Sequence, residues 1–431
     1  MGLSSSFSPL YLSITAGLYN FRSMTDTKAH GQTPSYRRLK LDLLLYGVAV
    51  QDDRISEKIL ALPTEGLPMA DRRVDLTFPD GTRVNAPLEA ASPYQLRLLR
   101  PGVTGLTGRG LSVETRSILT SDFHQRRTTF GKPFSDIGQI CGGYFFLPLG
   151  ALPGQIAQTA APGAAPGASR VPDIVFHDLR EVHEVIRAAF DEQLVEVVKI
   201  SVQLPEGFDR PAVNRLLPYL EMVKSNFKSI VSLSIPPPRD FQLLPLLYAR
   251  GVDVIFCDLL VVDEKLASRQ LPLRGRFSAE DILETLAHLV GIFPRGAVLS
   301  KLLLGWEPIE ETERSAQRLL SIGTVPVLGL IPAGRDRLST VVLDAIYDFL
   351  QSLHVDLDRN LYSRWIHSHL HLISDSFTPN DSLEIDKHQN GSDWIDRLLV
   401  TRASRRGLAS AWALRRSFKV TEGGPAPDET V

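Results

Sequence analysis

The sequence predicts an α/β protein whose centre is a parallel sheet, in either a barrel or a doubly wound form. Between residues 174 and 331, short apolar runs rich in Val and Ile alternate with segments of helical apolar spacing. A helix between successive strands makes those strands parallel. The composition, 43% hydrophobic and 22% charged, is typical of a globular protein. The 431 residues suffice for two or three domains.

The elements of this central region follow in order. The predicted strands are Ile174–Phe176, Val195–Val202, Ile230–Ile235, Val252–Cys257, Ala297–Leu304 and Val325–Ile331. The predicted helices are Leu179–Phe190, Pro211–Phe227, Phe241–Ala249, Ala279–Val290 and Glu311–Ile322. Gly251 and Gly323 each follow a helix, where a left-handed residue commonly ends it. About six strands, rather than the eight of a closed barrel, predict an open one.

The flanking regions have a different character. We expect residues 1–34 to be disordered, 35–130 to form a small α+β region, 131–340 to form the barrel, 341–418 to be a helical extension and 419–431 to be a disordered tail. From Tyr36 to about Leu99 the pattern is of short β-like runs, with a hairpin turn at Pro79-Asp80-Gly81. Residues 154–169 contain many Ala, Pro and Gly residues, which predicts a mobile loop.

Composition excludes several classes of protein. The two cysteines, Cys141 and Cys257, exclude a disulfide framework and any four-cysteine metal site within one chain. A net charge of −2 argues against broad binding of nucleic acid or anionic membranes. No apolar stretch is long enough for a transmembrane helix, so we expect a cytoplasmic protein. Met1–Phe21 lacks the basic start and clean apolar core of a signal peptide, and Met24 is an alternative start.

Several segments, taken in order and spacing, match a known family. They are Thr128-Thr129-Phe130-Gly131-Lys132-Pro133, Ile137-Gly138, Pro236-Pro237-Pro238, Leu243–Asp253, the run KLLLGWEP from Lys301, Gly323–Val327 and Ile331-Pro332. Together they resemble the radical S-adenosylmethionine (SAM) superfamily, in its branch of biotin-synthase-like barrels, over about half of the chain. The resemblance implies a partial (β/α) TIM-type barrel that binds SAM.

The chain departs from that family at its defining motif. The family carries Cys-x₃-Cys-x₂-Cys after the first barrel strand, whereas here the Ala/Pro/Gly loop follows Tyr144–Leu149 and contains no cysteine. We therefore expect no 4Fe–4S cluster within one chain. The Gly-Gly-Glu segment that holds SAM is replaced by Gln203–Gly207, and Leu260 stands where a related branch has Glu. SAM binding, if retained, should then be weak, at ~0.1–1 mM.

Four residues are the candidate ligand-binding set: Glu206, Asp258, Trp306 and Glu307. Each follows an apolar, strand-like run, and barrel sites lie at the carboxyl ends of the strands. The resemblance places SAM at the same end. Each carboxylate also has a purely structural interpretation, in which it is only a residue at the start of the next loop. Catalytic residues are not identifiable.

The three histidines His367, His369 and His371 have spacing that can bind a metal, although the favoured interpretation is a helix with surface and half-buried histidines. Three functions remain open from the sequence. The first is a cluster-less accessory or regulatory partner of a related, cluster-bearing radical SAM enzyme. The second is an enzyme that binds SAM or another small ligand at the barrel mouth without a cluster. The third is a metal-dependent enzyme centred on the histidines.

Overall fold

A computed structural model describes part of the unit Ser35–Val431. The described residues are 36–56, 61–63, 70–100, 102–118, 121–151, 174–204, 207–271, 274–330, 346, 348, 349, 370 and 373–378. The predictions for residues 1–34, 154–169 and 419–431, and most of those for 341–418, fall outside these ranges. Glu206, His367, His369 and His371 lie outside them too.

The described chain begins with helix α1 (Tyr36–Tyr46), where we had predicted β-like runs. That prediction was wrong, because Leu39 and Leu43 recur at helical spacing and both are buried in the core. The buried Nζ of Lys40, on the same helix, donates to the Ile373 carbonyl at 2.7 Å. The helix therefore also helps to fix the segment 373–378, which lies far away in the sequence.

A seven-stranded sheet follows, in the order β1-β5-β6-β7-β3-β2 with β4 beside β3. Its strands are β1 (Ala49–Val50), β2 (Ala61–Pro63), β3 (Ala70–Thr77), β4 (Arg83–Pro87), β5 (Gln95–Arg100), β6 (Val103–Gly108) and β7 (Leu111–Ile118). The hairpin predicted at Pro79-Asp80-Gly81 joins β3 and β4 and is confirmed. Gly81 adopts φ +90°, and Asp80 accepts from the Thr82 amide at 2.9 Å.

The second sheet has nine strands, in the order β10-β9-β11-β12-β13-β14-β15-β16 with β8 beside β9. They are β8 (Gln139–Cys141), β9 (Tyr144–Ala151), β10 (Ile174–Val175), β11 (Val197–Gln203), β12 (Ile230–Ser234), β13 (Val254–Phe256), β14 (Val298–Leu304), β15 (Val325–Leu330) and β16 (Ser376–Phe377). β9 and β11–β15 are mutually parallel.

Two details of this sheet correct the prediction. Ile174–Val175 pairs antiparallel with β9 instead of joining the parallel set. The first parallel strand is Tyr144–Ala151, in agreement with the place that the resemblance gives to the first barrel strand. Ser376–Phe377, within the expected helical extension, adds an antiparallel strand to β15. The described sheet thus has antiparallel strands at both edges.

The order of the parallel strands identifies the architecture. The six strands lie side by side in chain order, without the reversal that defines a doubly wound sheet. Right-handed crossovers in one direction place the helices on one face, as in a (β/α) barrel. The fold class is therefore α/β with a partial barrel, as predicted.

The helices around the sheets are mostly those expected. They are α2 (Asp53–Ser56), α3 (Ser121–Gln125), α4 (Leu179–Asp191), α5 (Arg210–Asn226), α6 (Leu244–Ala249), α7 (Glu264–Gln270), α8 (Ala279–Ile292) and α9 (Ile309–Ile322). The predicted end of α9 is confirmed, since Gly323 adopts φ +100°. The short helices α2, α3 and α7 were not predicted. No helix among the described residues is long and apolar enough to cross a membrane.

The two faces of the parallel sheet differ. Side chains such as Val198, Ile200 and Leu233 point towards the helices and join the main core. The alternate side chains point to the inner face, where residues near the start of each strand form a second apolar cluster, including Val197, Ile230, Val254, Leu299 and Val325. Further along the strands the inner face becomes polar.

Candidate functional site

Three of the four predicted site residues, Asp258, Trp306 and Glu307, are described and lie where β13 and β14 end. The two carboxylates among them bind the backbone. Asp258 Oδ1 accepts from the Lys301 amide at 2.9 Å. Glu307 Oε1 accepts from the amides of Val262 and Asp263 at 2.9 and 2.7 Å. Trp306 packs against a small apolar cluster beside these loops. The structure thus places Trp306 and Glu307 in one region. The carboxylates of Asp258 and Glu307 already accept hydrogen bonds from the backbone of the loops there.

Arg274 stabilises the backbone at the same strand end. Its guanidinium is buried and donates to the carbonyls of Leu259 and Val261 at 2.7 and 2.9 Å, and to that of Phe277. Leu260 between them adopts φ +59°, a conformation that needs support in a residue other than glycine. Arg274 donates to carbonyls of the chain that leaves β13, and Glu307 accepts from its amides. Together the two side chains therefore fix that segment.

The amide contacts of Glu307 predict a stability effect. Glu307→Ala should lower the free energy of unfolding by about 1–2 kcal/mol, because a charged acceptor of two amides is lost. Glu307→Gln retains one oxygen and should lose less. Urea unfolding is the measurement, with Glu284→Ala, an exposed glutamate on α8, as the control. An unchanged midpoint for Glu307→Ala would contradict this role.

A second group of polar residues lies on the inner face. Lys199, at the third position of β11, and Lys301, at the fourth of β14, are both mostly buried. Lys199 and Ser232 are register partners on adjacent strands, and the Lys199 Nζ lies 4.2 Å from the centre of the Phe256 ring. Such a contact stabilises an ammonium group away from water.

Asp375 joins the two lysines. Its Oδ2 lies 3.0 Å from the Lys301 Nζ. Burial alone would raise the pKa of Asp375, but the ammonium groups of Lys301 and Lys199 outweigh it and hold the pKa well below its usual range. On a flat sheet β11 and β14 would lie about 14 Å apart. Their lysines act on one carboxylate because the sheet curls around it.

The cluster continues to Asp75, on β3 of the first sheet. Asp75 Oδ1 accepts from the Asn85 Nδ2 at 2.8 Å. Burial raises the pKa of Asp75 to about 6, against the lowering effect of Asn85 and the Gly142 backbone. The backbone amide of Asn85 also donates to the Ser374 carbonyl at 2.8 Å. The first sheet, the start of β9 and the segment 373–378 therefore share one buried polar interior.

The raised pKa of Asp75 predicts a pH dependence. The folded protein holds this proton more tightly than the unfolded chain, so stability falls as pH rises from about 4 to about 6. The rise from 3.8 to about 6 corresponds to about 3 kcal/mol at neutral pH. Asp75→Asn should remove most of this loss. Chemical denaturation of both proteins at pH 4 and pH 7 tests it, and an equal difference at both values would refute it.

The two thiols do not suit an iron–sulfur cluster. Cys141 pairs with Tyr144 at the amino end of β9, whereas Cys257 follows β13 at the opposite end of the sheet and packs in the main core. Burial and the carboxylates of Asp75 and Asp375 raise the pKa of the Cys141 thiol, and burial and Asp258 raise that of Cys257. Cluster ligands are thiolates. These residues therefore fit neither the number, the placement nor the ionisation that the cluster requires.

Comparison with known proteins gives likenesses of structure alone. No protein-family model matches the sequence, and no curated protein matches it. The chain is similar to the crystal structure of methylornithine synthase (PylB), at 15% identity and a TM-score of 0.35, over 59% of this chain and 75% of that one.

It is also similar to HydG, a maturase of the [FeFe]-hydrogenase, at 9% identity and a TM-score of 0.36, over 57% of this chain and 58% of that one. Both TM-scores lie below 0.5, so the fold class rests on the strand order rather than on these superpositions.

The inner-face group was not among the predicted site residues. A signal for it exists in the sequence, because Lys199 and Lys301 interrupt runs that otherwise read as fully buried strands. A lysine in such a run must find a partner on its own face. That partner, Asp375, lies 74 positions beyond Lys301, in a segment for which we had predicted helices.

Proposed function

We propose that this chain is a cluster-less, radical-SAM-like barrel that acts as an accessory or regulatory partner of a related, cluster-bearing enzyme. The observation that carries the proposal is the placement of the cysteines. One lies at each end of the sheet, and burial raises the pKa of both thiols. A barrel without thiolate ligands has no source for the electron that starts radical chemistry, which favours a role in binding over a role in radical catalysis.

An exposed, fixed turn supports a binding role. Phe130, with 63% of its surface accessible, has the most exposed large apolar side chain among the described residues. The Thr129 amide donates to Glu184 at 3.0 Å, the Gly131 amide to the Thr128 carbonyl at 2.8 Å, and Arg127 to the Gly131 carbonyl at 2.6 Å. A rigid aromatic tip beside an exposed arginine is typical of an interface hot spot.

The test is binding to a cluster-bearing radical SAM homologue from the same genome, measured by biolayer interferometry under anaerobic conditions. Phe130→Ala should weaken the complex by about tenfold or more. Leu99→Ala, which removes an exposed side chain from the first sheet, is the matched control and should leave the affinity unchanged. Failure of the unmodified protein to bind any such homologue would contradict the partner role. Equal effects of the two substitutions on affinity would show that Phe130 is not part of the interface.

The alternative of a SAM-binding enzyme is less well supported. Its described carboxylates, Asp258 and Glu307, already accept backbone hydrogen bonds, so SAM would have to compete with the loops that they hold. Calorimetric titration with SAM addresses it directly. Binding that Glu307→Ala weakens without unfolding the protein would restore the alternative.

A further inference from the structure

The turn that carries Phe130 is held against helix α4 by two carboxylates. Glu184 accepts hydrogen bonds from both the amide and the hydroxyl of Thr129, each at 3.0 Å. One turn earlier on the helix, the buried Glu181 accepts from the Thr128 hydroxyl at 3.0 Å. Both carboxylates are therefore engaged by the turn itself, and Phe130 projects from a fixed base.

Three exposed arginines surround this base. Arg180 and Arg187 lie four positions before and three positions after Glu184 on α4, so both are its neighbours on one face of the helix. The stem of Arg187 is supported by the Phe227 ring, whose centre lies 5.7 Å from the guanidinium carbon. Arg127 belongs to the turn, where it donates to a backbone carbonyl at 2.6 Å.

No carboxylate forms an ion pair with these three arginines among the residues that the structure describes. The other cations beside the turn are paired, Arg126 with Glu192 and Lys132 with Glu181 at 3.5 Å. Asp178, at the start of α4, accepts from a backbone amide at 2.8 Å. A partner that approaches the turn therefore meets guanidinium charge around an aromatic tip.

We propose that this surface docks onto an acidic face of the partner protein, with Phe130 in an apolar pocket and Arg180 and Arg187 opposite carboxylates at its rim. The inference rests on the partner role proposed above and specifies the chemistry of the partner. Guanidinium groups bind carboxylates through paired hydrogen bonds. A nucleic acid is less favoured, because proteins that bind single strands stack bases on several aromatic rings, whereas Phe130 is the single exposed ring of the described turn and helix.

The first test is the salt dependence of binding to the cluster-bearing homologue, followed anaerobically by biolayer interferometry. The association rate should fall about fivefold or more as sodium chloride rises from about 0.05 to about 0.5 M, because salt screens charges at the rim of an interface. Binding without this dependence would overturn the acidic-face inference and leave the partner role intact. No binding even at low salt would overturn both.

Charge reversal locates the effect on the surface. Arg180→Glu should slow association about tenfold, with a smaller change in the dissociation rate. It should not unfold α4, since a carboxylate in the first turn of a helix is favourable. The matched control is Arg210→Glu, because Arg210 is also an exposed arginine in the first turn of a helix, α5.

The control lies away from the proposed surface. Arg210 is about 13 Å along α5 from Tyr219, whose hydroxyl donates to the His177 carbonyl just before α4. Arg210→Glu should change the association rate by less than about threefold. Equal slowing by the two reversals would overturn the proposal. A fluorescent single-stranded oligonucleotide should not bind at physiological salt, and binding that Arg180→Glu weakens would assign the arginines to a nucleic acid instead.

Discussion

Replacing Arg274 by Met should lower the free energy of unfolding by about 2–4 kcal/mol. The substitution keeps much of the aliphatic stem but removes the guanidinium donors of the Val261 and Phe277 carbonyls, and it leaves the Leu259 carbonyl with the Val261 amide as its donor. Each buried carbonyl left unsatisfied costs about 1–3 kcal/mol. The chain around Leu260, at φ +59°, also loses the group that holds it in place.

Two further variants make the Arg274 result specific. Arg274→Lys should recover little, because an ammonium group cannot reproduce the planar fork that reaches three carbonyls. Arg276→Met, in the same short helical turn but exposed, should change stability by less than about 1 kcal/mol. Guanidinium denaturation measures all three. A loss for Arg274→Met no larger than that for Arg276→Met would show that the guanidinium is not structural.

Removing the carboxylate of Asp375 should also cost about 3–5 kcal/mol, since the mostly buried ammonium group of Lys301 loses the ion pair that it forms at 3.0 Å. The double substitution Lys301→Met with Asp375→Leu should be less destabilising than either single one, because neither member of the ion pair keeps its charge without the other. Arg318→Met, which breaks the exposed pair with Glu280, should cost less than about 1 kcal/mol.

The sign of the pH effect identifies Asp375 as the charged partner. Its pKa is lower in the folded protein than in the unfolded chain, so its contribution is complete above the ordinary value of 3.8 and is lost as pH falls below it. In an Asp75→Asn background, which removes the neighbouring carboxyl that titrates up to about pH 6, the stability difference between Asp375 and Asp375→Asn should therefore be constant from pH 5 to 7 and shrink under acid conditions. A difference that grows on acidification would contradict the ion pair.

The sequence predicts the parallel sheet because each strand and helix there has its own local pattern. Residues such as Val197 and Val198 are buried on both faces, which gives continuous apolar runs. Helix α1 was missed because its leucines are so numerous that the helical period is obscured. Helix α7 was missed because it is short and largely polar.

The contacts of the candidate site residues could be predicted less well than the fold, for a physical reason. Whether Glu307 faces a ligand or binds two backbone amides depends on how the chain turns after β13, which no local pattern specifies. The meeting of Lys199, Lys301 and Asp375 depends on the curl of the sheet and on a strand contributed from residue 376. Such long-range convergence is a property of the tertiary fold.

We expect this barrel to be unable to hold the 4Fe–4S cluster of the family it resembles, and anaerobic reconstitution with iron and sulfide is the test. After desalting, we expect no broad absorbance near ~400 nm and far less than four irons per chain, since two cysteines cannot supply the thiolate ligands. Cys141→Ser and Cys257→Ser should give the same spectrum as the unmodified protein. A stable four-iron cluster on the monomer, lost in either variant, would show that this barrel does hold the cluster.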